Sequence, residues 1–553
     1  MKLKLTLAML MAFASLFAQS PDSLQRIVEE RLRRATIGDA PDPQPFGKSI
    51  TAADMKVLID SLAGRTFAGR ETGTEGQRLA ADYIAAQFTS IGLTKPRETN
   101  SFFQEIALQN STWKDLALKI GGRDMKKNTD FYVFPALCPD VPTLAAKEVV
   151  FVGYGIQEGQ YNDYGKADVA GKIVVFYDGE PLNPAGNLSL ITGTELRSAW
   201  ATDWKKKVRL AKQKGAAAAF IIDAKLAENV QKNRRALSNW GWQPTSTSGK
   251  ISDQTKDLAP HAFISTGTFE ALAAEKAEKV AEAMADLRAG KGFKPLKIKA
   301  QVEASFDREV KTLEGSNVLG IIEGTDPVLK NQYVLITAHY DHLGAVDSTK
   351  IYYGADDNAS GTAAVIEIAQ AFAEAKKQGI GPKRTVVCML VSGEEKGLLG
   401  SKFYTEFPVL PLNQTICNIN IDMVGRVDKE HASDPNYIYV IGGDRTSKDL
   451  HDITEDANKR FTKMSLDYKY NDPRDPNHYF ERSDHYNFVM KGIPATFFFN
   501  GTHDDYHKPT DTPDKINFDA AAKRAQLAFY TAWQVACRGR QLSVDFSPEK
   551  LKN

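Results

Sequence analysis

The sequence predicts an α/β protein built on a mostly parallel sheet flanked by helices, and three observations carry that reading. From Ser316 onward, apolar runs that read as strands alternate with helical patterns, the arrangement that gives parallel sheets. Residues 111–300 have a different texture, with short β-rich runs separated by glycine-containing turns. A chain of 553 residues also exceeds what one hydrophobic core usually supports, so two domains or one large insertion are expected.

The elements follow in order along the chain. Within 50–93, a helical pattern at 76–92 places Leu79, Tyr83, Ile84, Phe88 and Ile91 on one face, which predicts a packed outer helix. Between 111 and 300, strands are expected at 149–152 and 172–177, with a turn at Tyr154-Gly155. A helix near 200–214 then leads into the apolar run 216–222, and the Ala-, Glu- and Lys-rich stretch 269–287 reads as a solvated helix. This region has no cluster of His, Asp and Glu with ligand-like spacing. Strands are next expected at 317–322, 333–338, 385–392, 416–421, 437–441 and 494–499, with helices at 359–377 and from Phe518 on. Residues 541–553 read as a tail.

Composition excludes some partners. Lys and Arg number 70 and Asp and Glu 69, a balance with no field to attract nucleic acid or an anionic membrane. Lys2 and Lys4, the apolar run 5–18 and the following Gln19-Ser20-Pro21 read as a secretory signal peptide, residues 1–18, cleaved after Ala18. The run is shorter than the roughly 20 residues of a membrane span. The protein is therefore expected to be exported, periplasmic or secreted. The four cysteines, Cys138, Cys388, Cys417 and Cys537, form no CxxC pair and are expected as buried thiols.

In parallel sheets, ligands bind beyond the carboxyl ends of the strands. His339 and Asp341 follow the strand at 333–338, Asp356 lies in the loop 354–361, and Glu394 and Glu395 follow the strand ending at Ser392. Asp422 ends the strand through Ile421, and His507 lies in the loop after 494–499. Each residue alone has an ordinary structural explanation, as a turn, a cap or a solvated loop. Their ordered recurrence at successive strand ends points instead to one site. Imidazole and carboxylate without thiolate suit catalytic zinc. Two His and three carboxylates serve two ions if one carboxylate bridges, and the bridge is assigned to Asp356. Two such ions lower the pKa of a shared water from 15.7 towards neutrality and polarise the scissile carbonyl. Adjacent glutamates in a loop point in different directions, so Glu395 is assigned as ligand and Glu394 as general base.

The blocks TAHYDH, GADDNASG, SGEEKGLLGS, NIDMVG and YHKPTDT resemble, in order, the signatures of M28 metallopeptidases, and FAGRETGTEGQ is similar to that family's opening helix. The resemblance implies a three-layer zinc-exopeptidase fold of the phosphorylase/hydrolase-like type, formed by 19–110 and 301–540. It further implies two Zn2+ and a peptide substrate. One zinc falls to His339 and Asp422, the other to Glu395 and His507, joined by Asp356. Asp341 is expected to orient His339, and Tyr506 to donate to the tetrahedral oxyanion or to act only as a packing aromatic. A cis peptide is expected between Asp356 and Asp357. FVGYGI, YNDYGKADVAGKIVVF and AKQKGAAAAFII resemble a protease-associated (PA) domain, which makes 111–300 an insert, either bordering the cleft or a spacer. YFERSDHYNF resembles the block lining the substrate pocket, so Glu481 or Arg482 meets a substrate terminus or forms a structural ion pair. His342, His485 and His503 fall outside the ligand scheme and are expected in supporting or structural roles. The implied activity is an aminopeptidase. The alternatives are a carboxypeptidase of the glutamate carboxypeptidase type, a one-zinc glutaminyl cyclase, and a non-catalytic scaffold as the transferrin receptor is to this superfamily.

Overall fold

The computed structural model describes residues 40–551 apart from 235, 236, 238–241 and 246–254. The signal peptide assigned to 1–18 lies outside the described residues. The chain divides into two compact units, one formed by residues up to Ile106 and from Leu313 on, the other by Ala107–Thr312. The inserted unit is longer than the 111–300 read from texture because the junctions fall inside two long strands, Phe103–Ile120 and Leu296–Ile322.

The discontinuous unit holds helices α1 (Ala52–Leu62) and α2 (Glu75–Ile91), the end of strand β1 (Leu296–Ile322), then β2 (Tyr333–His339), α3 (Gly361–Lys377) and β3 (Thr385–Val391). After these come β4 (Thr415–Ile421), β5 (Tyr437–Ile441), β6 (Ser465–Asp467), β7 (Ala495–Phe499) and α4 (Phe518–Cys537). The sheet runs β6-β5-β7-β4-β2-β3-β1. Its four central strands, β7, β4, β2 and β3, are parallel, and antiparallel pairings of β5 with β7 and of β1 with β3 bound them. Strands buried on both faces read as continuous apolar runs. Alternate residues divide between two cores: Val334, Ile336 and Ala338 face α1 to α4, while Leu335 joins Val387, Met389, Tyr404 and Phe488 on the other face. α2 begins where the Thr74 hydroxyl accepts from the Gln77 N–H and ends at Gly92, whose φ of 91° suits a left-handed cap. In α4, Trp533 is fully buried against Phe46, Phe372 and Phe529.

The inserted unit is itself mixed α/β. Strands Val141–Phe151, Ile173–Tyr177, Ala218–Asp223 and His261–Ser265 are successive parallel neighbours. Val149, Phe151 and Phe220 point to one core, and Val150, Val152 and Ile221 to the other. The stretch expected as a solvated helix is two helices, Thr266–Ala273 and Ala277–Arg288, separated by a short turn. Both are anchored, because Phe269, Leu272, Val280, Met284 and Leu287 are buried in the first of these cores. The alternation of Ala, Glu and Lys hid that apolar stripe. All four cysteines are buried free thiols, and no described helix is long and apolar enough to cross a membrane.

Candidate active site

The carboxyl ends of β2, β3 and β4 and the loop after β7 place the site. His339 is the last residue of β2, and its Nε2 lies 3.2 Å from Asp357 Oδ1 and 3.2 Å from Asp422 Oδ1. The loop after β3 brings Glu395, whose Oε1 is 2.8 Å from His342 Nδ1 and whose Oε2 is 3.2 Å from His507 Nε2. The same His507 nitrogen is 3.1 Å from Asp357 Oδ2. Two donor groups result, His339 with Asp357 and Asp422, and His342 with Asp357 and Glu395, the latter adjoined by His507.

The carboxylate common to both groups is Asp357, where the sequence reading placed Asp356. Residues Ala355–Ser360 form an irregular turn with non-helical dihedral angles at Asp357 and Asn358. Asp356 accepts instead from the Gly425 N–H (2.6 Å), Asn500 Nδ2 (3.1 Å) and Ser360 Oγ (3.1 Å), with His503 Nε2 at 3.1 Å. The cis peptide lies between Asp357 and Asn358, one residue later than expected. Gly361 closes this turn, and a Cβ there would sit 2.4 Å from both Asn358 Oδ1 and the Ile421 carbonyl.

Asp341 also differs from expectation. The atom within hydrogen-bonding distance of His339 Nδ1 is its backbone carbonyl (3.1 Å), while its carboxylate stands 3.7 Å away. That carboxylate accepts from Thr72 Oγ1 (2.8 Å) and from the Glu394 N–H (3.2 Å), so it braces the base-bearing loop. His342, expected in a supporting or structural role, stands in the second group with its Nδ1 facing Glu395. His485 is buried between Phe480 and Phe497, away from both groups, and burial lowers its pKa to about 3.

Residues not anticipated from sequence hold the site together. Arg70 is wholly buried and donates to the carbonyls of Tyr340, Leu62, Tyr353 and Gly354, tying the β2 end to the aspartate turn. Ser483 donates to Asp422 Oδ2 (2.6 Å) and accepts from Asn420 Nδ2 (2.8 Å), whose amide oxygen accepts from Thr337 (2.7 Å). Asn418 donates to the same threonine (2.9 Å). The period-2 spacing of Asn418, Asn420 and Asp422 in an otherwise apolar strand was the available signal.

A half-open cavity faces the first group and is lined by His339, Asp357, Asp422 and Glu394. Met423, Tyr479, Phe497 and Phe499 give it an apolar wall. Arg482 Nη2 donates to the Tyr506 hydroxyl over 3.3 Å, and the Tyr506 ring stacks on His507. Burial pushes the Glu394 carboxyl well above the usual range, against the pull of His339, and Glu395, Asp422 and Asp484 add to the rise. Burial also opposes charge on Asp357, yet hydrogen bonds from His339 and His507 hold it well below the ordinary value. For His507, burial would lower the pKa, but the bonds to Asp357 and Glu395 outweigh it and raise it to about 10.

These features fit divalent cations. Asp357, Glu394, Glu395 and Asp422 crowd together around His339, His342 and His507, an arrangement that requires compensating positive charge. A cation within each group would supply that charge and free the imidazole lone pairs to bind it. His507 has φ 56°, a left-handed conformation uncommon for residues other than glycine and concentrated at functional sites.

Residues 317–532 match the model of peptidase family M28, so this segment of the chain is similar to that family. Among curated relatives, the aminopeptidase NAALADL1 of Mus musculus is 32% identical over 143 residues, 25% of this chain and 18% of its own length. A probable zinc metalloprotease of Pyrenophora teres f. teres is 24% identical over 359 residues, 57% of this chain and 68% of its own. A vacuolar membrane protease of Tuber melanosporum is 33% identical over 107 residues, 19% of this chain and 10% of its own length, so the chain spans only a small part of some relatives. An aminopeptidase from Aneurinibacillus sp. strain AM-1 is a structural neighbour with 23% identity and TM-score 0.44, covering 92% of this chain and 98% of its own.

Proposed function

We propose that the protein is a two-zinc aminopeptidase that removes amino-terminal residues from peptides with Glu394 as general base. The observation that carries this reading is the single carboxylate, Asp357, shared by two imidazole-carboxylate groups beside a cavity that Glu394 lines. His339 and Asp422 would hold one ion, and Glu395 and His507 the other. Bound zinc supplies an acidified water and a polarised carbonyl. Glu394, made more basic by burial and by its carboxylate neighbours, is placed to take up the proton of an attacking water and return it to the leaving amide nitrogen. Tyr506 lines the cavity and offers its hydroxyl to the developing oxyanion. The acidic groups around the cavity suit a protonated α-amine, and the names aminopeptidase and zinc metalloprotease among relatives support the class. We read the inserted unit as a PA-type domain and the N-terminal segment as an export signal, giving a periplasmic or secreted enzyme.

Arg482 in the cavity is the observation that favours a carboxypeptidase, since a guanidinium recognises a terminal carboxylate. Hydrolysis of free-amine aminoacyl p-nitroanilides and of N-blocked dipeptides separates the two readings. Turnover of the anilides is expected; activity confined to the blocked dipeptides would replace the aminopeptidase by the carboxypeptidase.

A further inference from the structure

The second group contains one more histidine than the ligand scheme read from sequence uses. His342 is buried, with 1% of its surface exposed. Its Nδ1 lies 2.8 Å from Glu395 Oε1 and 3.8 Å from Asp357 Oδ2, and its Nε2 has no hydrogen-bond partner. The ring is therefore engaged only through Nδ1, with this pair of carboxylates. His507 presents Nε2 to the same pair at 3.1 and 3.2 Å, and the two rings stand 5.8 Å apart at 69°. Two imidazole nitrogens thus converge on two carboxylates, whereas the first group has one imidazole.

We propose that His342 is itself a ligand of the second cation, completing a four-donor set of His342, Asp357, Glu395 and His507. The inference rests on the two-metal reading above. Four protein donors are the pattern of closed zinc sites, and three donors with an open position that of catalytic ones. The cavity agrees with this division of labour, because it is lined by every member of the first group and, from the second, by Asp357 alone. On this division the second group would hold its cation the more tightly, and the first group would present its own towards the cavity.

The test is metal binding, independent of turnover. Wild type, His342→Ala and His342→Gln are stripped with a chelator, then titrated with Zn2+ against a competing chelator, with stoichiometry from elemental analysis. Wild type is expected to take two equivalents. In His342→Ala one equivalent binds as in wild type, which with the far-UV circular dichroism verifies the fold. The other weakens by more than about 100-fold, beyond the 10–100-fold that loss of an outer hydrogen-bond partner brings. His342→Gln, which still donates to Glu395, is expected to be as weak as the alanine variant, and Co2+-loaded wild type and variants should differ in visible absorption. A smaller loss in His342→Ala, recovery in His342→Gln, or identical Co2+ spectra would overturn the assignment and leave His342 an orienting donor. Uptake of fewer than two equivalents by wild type would instead defeat the two-metal reading.

Discussion

At Glu394, burial and three neighbouring carboxylates act in one direction, raising the affinity of the side chain for a proton. Its backbone N–H is fixed by Asp341, so the side chain is presented to the cavity by a braced loop. Glu394→Gln preserves size and the backbone contact but cannot accept the proton. Turnover should fall by about 10²–10⁴ with metal content unchanged, measured by steady-state kinetics and elemental analysis; a variant within tenfold of wild type would remove Glu394 from the mechanism. At this scale, legibility in the sequence was uneven. Residue type and order along strand ends placed His339, Glu394, Glu395, Asp422 and His507 in one region, since parallel strands deliver their ends to a common edge. The choice between Asp356 and Asp357 depended on side-chain direction in a non-repeating turn, for which no periodicity exists. His342 was expected in a supporting or structural role, and its contact with Glu395, 53 residues away in sequence, is visible only in the fold.

Strands were the most readable elements. The runs expected at 333–338 and 437–441 correspond to Tyr333–His339 and Tyr437–Ile441, because strands buried on both faces must be apolar throughout. The helices of the inserted unit were harder to read, since lysine stems and short alanine faces conceal which side is buried. Lys207 is an example. It lies in the helix Trp204–Gln213, fully buried, with Nζ 2.9 Å from the Tyr177 carbonyl and also bonded to the Gly179 carbonyl. Burial lowers its pKa to about 8, against the pull of Asp178, Asp163 and Glu180. A depressed lysine binds fewer protons folded than unfolded between these two pKa values. Stability therefore rises as pH goes from about 8 towards 10.5, by up to about 3 kcal/mol at roughly 1.4 kcal/mol per unit. Lys207→Met should lose this increment. Urea unfolding of both proteins at pH 7.5 and 10 checks it, and parallel pH dependence in the two would show that Lys207 is not the source.

On the scale of the whole molecule, each unit has its own buried clusters, and the donor groups among the described residues fall in the discontinuous one. Metal binding to that unit adds to its stability by mass action, about 4 kcal/mol at a thousandfold excess over Kd. Removal by a chelator should lower the melting temperature by on the order of 5–10 °C, with recovery on adding Zn2+. Calorimetry before and after dialysis measures it. An unchanged melting temperature would mean that the clustered carboxylates do not depend on a cation.

The four thiols bear on how the folded protein meets redox conditions. Each is buried, and burial pushes those of Cys138, Cys417 and Cys537 up to about 12, so almost no thiolate exists at neutral pH. Without thiolate there is little oxidation, alkylation or scrambling. Once folded, the protein should therefore be indifferent to mild oxidant and to reductant alike.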